Sequence, residues 1–275
     1  MDVDRPSDPV EAWVEALWTR HLDRLRFPEV RRGLQALSSL YVERRVRLAR
    51  GKALDGAGKR AAFAMFYGPL HLVVARHVAI ETGAARPGPD RILDLGCGTG
   101  AAGAGFALAC GGWASLVGTD LNPWAVVEAE WSWTRLGLRG TAGRDRIERF
   151  DAAGAGTAVV LGWVVNEIED STRAGLLPRL LDAGRRGARI LVIEPISRRV
   201  VPWWDEWAGA FVERGGRDDV WRIEPALPEK WHDLDRAAGL DHRELTARSL
   251  YLPADGPGTS AFPSSIVPAK IQWPT

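Results

Sequence analysis

Between positions 93 and 103 the chain reads LDLGCGTGAAG, an apolar run broken by Asp94 and followed by Gly96, Gly98, Gly100 and Gly103. Glycines let a backbone approach a ligand closely, and a helix that follows them offers free N–H groups and its positive end. About 20 residues on, Asp120 in LVGTDLNPW stands where a carboxylate accepts both hydroxyls of a ribose. Read from Gly98 the glycines match the Gly-x-Gly-x-x-Gly of dinucleotide sites; read from Asp94 they match the Asp-x-Gly-x-Gly-x-Gly of S-adenosyl-L-methionine (SAM) sites.

Three features choose between the two ligands. Asp94 precedes the glycines where a dinucleotide site keeps an apolar residue, because a pyrophosphate is anionic; SAM brings an ammonium and a sulfonium, which a carboxylate supports. Asp151 and Ala152 follow RIERF, read as the third strand, where an acid can accept from an adenine amino group. Two strand patterns in the tail form a hairpin that the common dinucleotide fold lacks. The reading is a SAM site, with Asp94, Gly96, Cys97, Gly98, Thr99 and Gly100 on the methionine part, Asp120, Leu121 and Asn122 at the ribose, and Asp151 and Ala152 at the adenine. Tyr67, at a Gly-Pro break just before the first strand, is placed to cover the ligand, while His71 is read as a core histidine.

Methyl transfer from a sulfonium needs alignment of the nucleophile and removal of its proton. Both can come from the end of the fourth strand, where the apolar run VVLGWVV stops at Asn166 and Glu167: the amide can orient an acceptor amine or hydroxyl, and the carboxylate can act as base. The same residues also suit structural work, Asn166 at the strand end and Glu167 with Glu169 at the start of a helix near Ser171. NEIE is not the Asn-Pro-Pro-aromatic signature of enzymes that methylate exocyclic base amines. Trp203, Trp204, Trp207 and Phe211 offer flat faces for an acceptor but read first as an apolar helix face, and Glu194 with Arg198 lies at the pocket mouth.

These residues need a parallel sheet to bring them together. From Pro87 onwards short apolar strands (RILDLGC, ASLVGTD, the weak RIERFD, TAVVLGWVV, ARILVIEP) alternate with helical stretches, which predicts an α/β fold covered by helices on both faces. RELTARSLYLP and SSIVPAKIQW are read as the closing antiparallel hairpin. Residues 1–86 read as a helical region, with Val10, Trp13, Val14, Leu17, Trp18, Leu22 and Leu25 on one face of a helix from about 9 to 26, further helices over 29–50 and 59–67, and a break at Gly68-Pro69 before another helix. The division expected is 1–86, helical, and 87–275, the SAM-binding domain.

Composition narrows the rest. A chain of 275 residues, 46% hydrophobic, can bury a sizeable core; no uninterrupted apolar run approaches the length of a bilayer, and the start lacks a leader pattern, so a cytoplasmic protein is expected. Two cysteines and five histidines without ligand spacing build neither a disulfide framework nor a metal site. Twelve Lys/Arg against four Asp/Glu between 20 and 60 give that segment a charge of +8 within a chain of net +1, a face on which RNA or another anion could dock.

ILDLGCGTG, VGTDLNPWAV, RFDAAG, VVLGWVVNEIED and ARILVIEP, in that order from 91 to 195, resemble the motifs of class I SAM-dependent methyltransferases. The resemblance implies a Rossmann-like fold, a seven-stranded sheet with an inserted antiparallel last strand, and S-adenosyl-L-homocysteine (SAH) as product. LQALSSLYVERRVRLARG, FAMFYGPLHLVVARHV and LGWVVNEIEDSTRAGLLPRLLD are also similar to the methyltransferase-like proteins associated with small ribosomal subunit assembly, known from mitochondria and bacteria. That narrower likeness implies an RNA or ribosomal partner. This chain lacks that family's cysteine cluster for an iron–sulfur centre, and its GCGTG loop is intact where the family's is often degenerate. Other acceptors fit too: a small apolar or aromatic metabolite suits the tryptophans, and a non-catalytic SAM-binding assembly factor suits the basic helices.

Overall fold

The computed structural model describes residues 8–43, 54–150, 153–224 and 227–254. Seven strands form one sheet in the order β3-β2-β1-β4-β5-β7-β6. They are β1 (Arg91–Leu95), β2 (Ser115–Asp120), β3 (Gly140–Arg144), β4 (Thr157–Gly162), β5 (Arg189–Glu194), β6 (Arg217–Ile223) and β7 (Leu245–Leu252). The first five pair in parallel, and β7 runs antiparallel between β5 and β6. This is the Rossmann-like sheet with one antiparallel hairpin that the sequence predicts. Chain direction across the sheet reverses at β1, whose neighbours are β2 and β4, so a crevice opens beyond the carboxyl ends of these strands.

Residues alternate between the two faces. Ile92, Ala158, Val160, Leu191 and Ile193 join one core, and Leu93, Leu95, Val159, Leu161, Ile190 and Val192 the other. Period two puts Asp94 on the Ile92 face, beneath α5 (Ala101–Ala109), and Glu194 on the Ile190 face.

The N-terminal helices α1 (Pro9–Leu22) and α2 (Phe27–Glu43) belong to the first core. Asp8 caps α1 by accepting from the Val10 N–H at 2.9 Å, and Val10, Trp13, Val14 and Leu17 are buried as the periodicity predicts. Glu128 on α6 (Pro123–Arg135), itself buried, receives His21 at 2.9 Å and Arg20 at 3.2 Å, which clamps α1 to α6.

Three elements differ from the sequence reading. No break occurs at Gly68-Pro69: α3 (Ala57–Ala62), a π-helical turn (Phe63–Tyr67) and α4 (Gly68–Glu81) run on as one helix of 25 residues. The wider turn passes from the Gly68 N–H to the Phe63 carbonyl and absorbs the residue preceding Pro69 without breaking the rod. This helix is long and apolar enough to cross a bilayer by length and composition, and 67% of its most apolar window is buried inside the protein.

The third strand is Gly140–Arg144, and Ile147–Arg149 in RIERFD is a 3-10 turn. The strand gives no apolar signal because it is an edge built from small residues: a Cβ on Gly140 would stand 2.5 Å from the Trp133 ring. Asp151 therefore does not end the third strand, and Asp151 and Ala152 lie outside the described residues.

The hairpin partner of β7 is β6, which the sequence reading missed. The other stretch read as a strand, SSIVPAKIQW, lies outside the described residues. The β6 sequence RDDVWRI alternates polar residues because it too is an edge, where charge discourages further pairing.

Candidate functional site

The turn from β1 into α5 is built by Gly96, Gly98 and Gly100, at φ +68°, +52° and +77°. Left-handed backbone at every second residue curls the loop tightly, which side chains with a Cβ resist. At Gly96 the need is also steric: a Cβ would meet Val164 Cγ2 at 2.3 Å, so the loop after β4 rests directly on the glycine turn. At Gly98 the nearest atom to such a Cβ is the Phe63 ring at 3.7 Å, so this side of the turn lies against the Phe63 ring in ordinary van der Waals contact.

Asp94 lies beneath that turn and is completely buried. Its Oδ2 accepts from the Gly103 N–H at 2.9 Å, in the first turn of α5, while Oδ1 has no hydrogen-bond partner among the described residues. Gly103 is required here, because a Cβ would sit 2.5 Å from Asp94 Oδ2. Burial pushes the Asp94 carboxyl up to about 7; the Gly103 N–H works against this, and the charge of Asp120 adds to it. A buried carboxylate oxygen without a donor is costly to keep and chemically suggestive.

Asp120 ends β2 with both oxygens directed at the loop. Oδ2 accepts from the Gly98 N–H at 2.9 Å and Oδ1 from the Asn122 N–H at 2.7 Å. Burial raises its pKa despite these donors. Each carboxylate oxygen can take a second donor, so capacity for ribose hydroxyls remains.

The neighbouring residues divide. Leu121 is exposed at the rim. Asn122 spends its side chain as the N-cap of α6, accepting from the Trp124 N–H at 3.0 Å. Cys97 contributes backbone to the loop, but its Sγ belongs to the core: a Cβ on Gly118 would stand 2.9 Å from it. Thr99 is buried beside Gly68.

The helix Ala57–Glu81 supplies an aromatic wall. Phe63, whose ring faces Gly98, lies 5.7 Å from the Tyr67 ring and 6.2 Å from His71; Tyr67 and His71 are 5.8 Å apart. Tyr67 thus stands beside the glycine turn, with its phenol pKa raised by burial. His71, read from sequence as a core residue, belongs to this wall, where burial lowers its pKa to about 3 and keeps the ring neutral.

The wall ends on Trp163, whose ring stacks on His71 at 3.8 Å and 10°. Trp163 has φ +56°, the one positive φ among the described non-glycine residues. Such a conformation costs on the order of 1–3 kcal/mol for a bulky side chain. It persists because both flanks are fixed: the Trp163 N–H donates to the Ile193 carbonyl at 2.7 Å, and Val164 is wedged on Gly96.

Glu194, at the end of β5, fixes the next residues. Fully buried, it accepts from the Val165 N–H at 2.8 Å, the Asn166 N–H at 3.2 Å and the Asn166 side-chain amide. Asn166 therefore has one N–H of its NH2 engaged by Glu194, which orients the amide and leaves its carbonyl oxygen to meet a donor. Glu167 follows, half-buried, with no hydrogen bond to its carboxyl among the described residues. Burial, then the charges of Glu194 and Asp120, push Glu167 up to about 8. Burial likewise raises Glu194 to about 7 against its three donors and Arg173.

Asp94, Asp120, Asn166 and Glu167 are thus brought together at the strand ends. Glu194, read at the pocket mouth with Arg198, is instead fully buried and anchors the Val165–Asn166 segment, while exposed Arg198 pairs with Asp205 at 3.3 Å. Trp163 was missed, because a positive φ at a tryptophan leaves no trace in residue type. Trp203, Trp204, Trp207 and Phe211 are all buried in the second core and take no part, in keeping with their reading as a packed helix face.

The site is strongly acidic. Four carboxyl groups have raised pKa values, Asp120 repels Asp94 and Glu167, and Glu194 repels Glu167. A cation bound among them relieves that repulsion, and a pyrophosphate deepens it. The unpartnered Asp94 Oδ1 and the surrounding carboxyl groups fit a ligand carrying an ammonium and a sulfonium. Among the described residues no group of three or more His, Cys, Asp or Glu is placed to hold a metal ion.

No protein-family profile matches the chain, and no curated protein does. Among solved structures it is similar to a SAM-dependent O-methyltransferase from Thermotoga maritima, 18% identical over 67% of this chain and 66% of that one, with a TM-score of 0.42. It is also similar to the plantazolicin methyltransferase BpumL in complex with SAH, 11% identical over 82% of this chain and 97% of that one, with a TM-score of 0.45. A further similar structure is the plantazolicin methyltransferase BamL in complex with a triazolic desmethylPZN analogue and SAH, 11% identical over 81% of this chain and 97% of that one, with a TM-score of 0.46.

Proposed function

We propose that this chain is a SAM-dependent methyltransferase. The observation that carries the reading is Asp94: a wholly buried carboxylate with one orphaned oxygen, under a left-handed glycine turn at the reversal point of the sheet. Bound SAM supplies a methyl group already activated on a cationic sulfur. Asp94 and the turn from Gly96 to Gly100 hold the ammonium end, and Asp120 takes the ribose hydroxyls. Tyr67 covers the ligand. At the methyl end, the Asn166 carbonyl oxygen orients an N–H or O–H of the acceptor and Glu167 accepts its proton. With its carboxyl near 8, and lowered by a neighbouring cation, Glu167 is a base matched to neutral pH.

The acceptor has two supports. Exposed Arg24, Arg26, Arg31 and Arg32 on and between α1 and α2 favour RNA or a ribosomal particle, although Arg20 is spent on Glu128 and Trp131 and Arg60 on the Leu54 carbonyl and Trp124. The acidic, aromatic-walled crevice favours a small aromatic acceptor. Methyl-labelled SAM offered with total RNA, total protein and a metabolite extract separates the cases, with Asp120→Ala as control. Label confined to one fraction and lost in the control is expected. SAM binding with label in no fraction would leave a non-catalytic SAM-binding protein, and label surviving in the control would overturn the site.

A further inference from the structure

Trp163 is held in an unfavourable backbone conformation by contacts on both sides, with its ring closing the aromatic wall at His71. A strained residue so firmly fixed serves something its side chain does there. One ring face is covered by neutral His71, stacked at 3.8 Å, and the indole is only half-buried. Along the chain it is followed within four residues by Asn166 and Glu167. Opposite charge is supplied by Glu167 itself and by Asp120 and Glu194, both close enough to raise the Glu167 pKa.

Resting on the methyltransferase reading, we propose that Trp163 is the stacking platform for the acceptor, and that the acceptor is a free planar heterocyclic amine. Flat rings pack on an indole face backed by a second ring, and a nitrogen at the ring's edge is drawn to carboxylates beside it. A phosphodiester chain would carry negative charge past Asp120 and the carboxylate form of Glu167. The charge of the crevice therefore selects the free amine over a base held in RNA. The His71 imidazole, with its pKa lowered to about 3, backs the indole as an uncharged ring and does not repel a cationic ligand.

The test uses the full chain and three probes: 4-aminoquinoline, planar and cationic; cyclohexylamine, cationic without a ring face; and naphthalene, planar without an amine. Binding is read by calorimetry and by ring-current upfield shifts of the probe protons, so no turnover is needed. 4-Aminoquinoline is expected to bind at least tenfold more tightly than either control, with its protons shifted upfield. Trp163→Gly, which suits the positive φ, should lose that binding at least tenfold while SAH affinity changes less than threefold; Trp163→Phe should retain a flat face and stay within threefold of wild type. Equal binding of 4-aminoquinoline by wild type and Trp163→Gly would overturn the platform. Equal binding of naphthalene would overturn the role of the carboxylates, and tighter binding of a short oligoadenylate RNA would overturn the free amine in favour of RNA. Failure of wild type to bind SAH, with the 4-aminoquinoline result intact, would count against the cofactor assignment and not against the platform.

Discussion

Replacing Asp94 by Asn should make the protein more stable and less able to bind SAM. In the folded chain burial holds this carboxyl at about 7 against an ordinary 3.8, so the native state keeps a proton that the unfolded chain gives up. The sign follows: stability is unaffected below pH 4, is lost progressively as pH rises from about 4 to about 7, and the loss is complete above that. The gap corresponds to about 4 kcal/mol at most. Asn keeps an oxygen for the Gly103 N–H but sets an NH2 where the orphaned Oδ1 stood, and an unpaired donor costs about 1–3 kcal/mol. The net gain at pH 8 is about 2 kcal/mol, or roughly 4–8 °C in Tm for a chain of this size. Wild type at a hundredfold excess of SAM over Kd gains about 2.7 kcal/mol, and most of that gain should vanish in Asp94→Asn. Differential scanning calorimetry at pH 4, 6 and 8, with and without SAM, reads every term. A variant equally destabilised at all three pH values, or one that keeps its SAM-induced shift, would refute the argument that Asp94 is a costly charge kept for a cation.

Two further outcomes follow from the acids at the strand ends. Glu167→Gln should fold normally and lose the limb of the pH–rate profile that rises towards pH 8, because the group that must shed a proton is gone; an unchanged rising limb in stopped-time methylation assays would remove Glu167 from the chemistry. Glu194→Ala strands the Val165 and Asn166 N–H groups and the Asn166 amide, and should cost about 3 kcal/mol in urea denaturation, more than a surface acid would, together with loss of methyl transfer.

What the sequence made legible was the part built from apolar runs. β1, β4 and β5 are central or near-central strands buried on both faces and β2 is buried on one, so each reads as a short hydrophobic segment, and the acids in or closing them are visible by contrast. The edges β3 and β6 were not legible, because an edge exposed to water has no reason to be apolar and Gly140 is needed to make room for Trp133. The helix Ala57–Glu81 misled for a related reason: Gly-Pro is punctuation only where the backbone must supply the missing hydrogen bond in an α-helical register, and a π turn removes that requirement. In the site, residue type singled out Asp94, Asp120, Asn166 and Glu167 as candidates. It could not reveal that Asn122 and Cys97 face structural duties, since capping and packing are settled by neighbours such as Trp124 and Gly118 that lie at no motif spacing.

The acids also tie cofactor binding to the base. At pH 7 Asp94 is near its midpoint and Glu167 is mostly protonated, each held up by burial and by a neighbouring carboxylate. A cation entering the crevice stabilises the charged form of both, so binding SAM must expel protons, and the carboxylate left on Glu167 is the base the reaction then requires. The ligand that brings the methyl group thereby prepares the group that removes the acceptor's proton. The consequence is measurable without turnover: calorimetric titration of SAM at pH 7 in buffers of different ionisation enthalpy should show release of about one proton, and affinity should rise with pH between 6 and 8. Glu167→Gln should retain the share due to Asp94 and lose the rest. Proton uptake, or an enthalpy independent of buffer, would mean that the crevice does not meet SAM with its carboxylates.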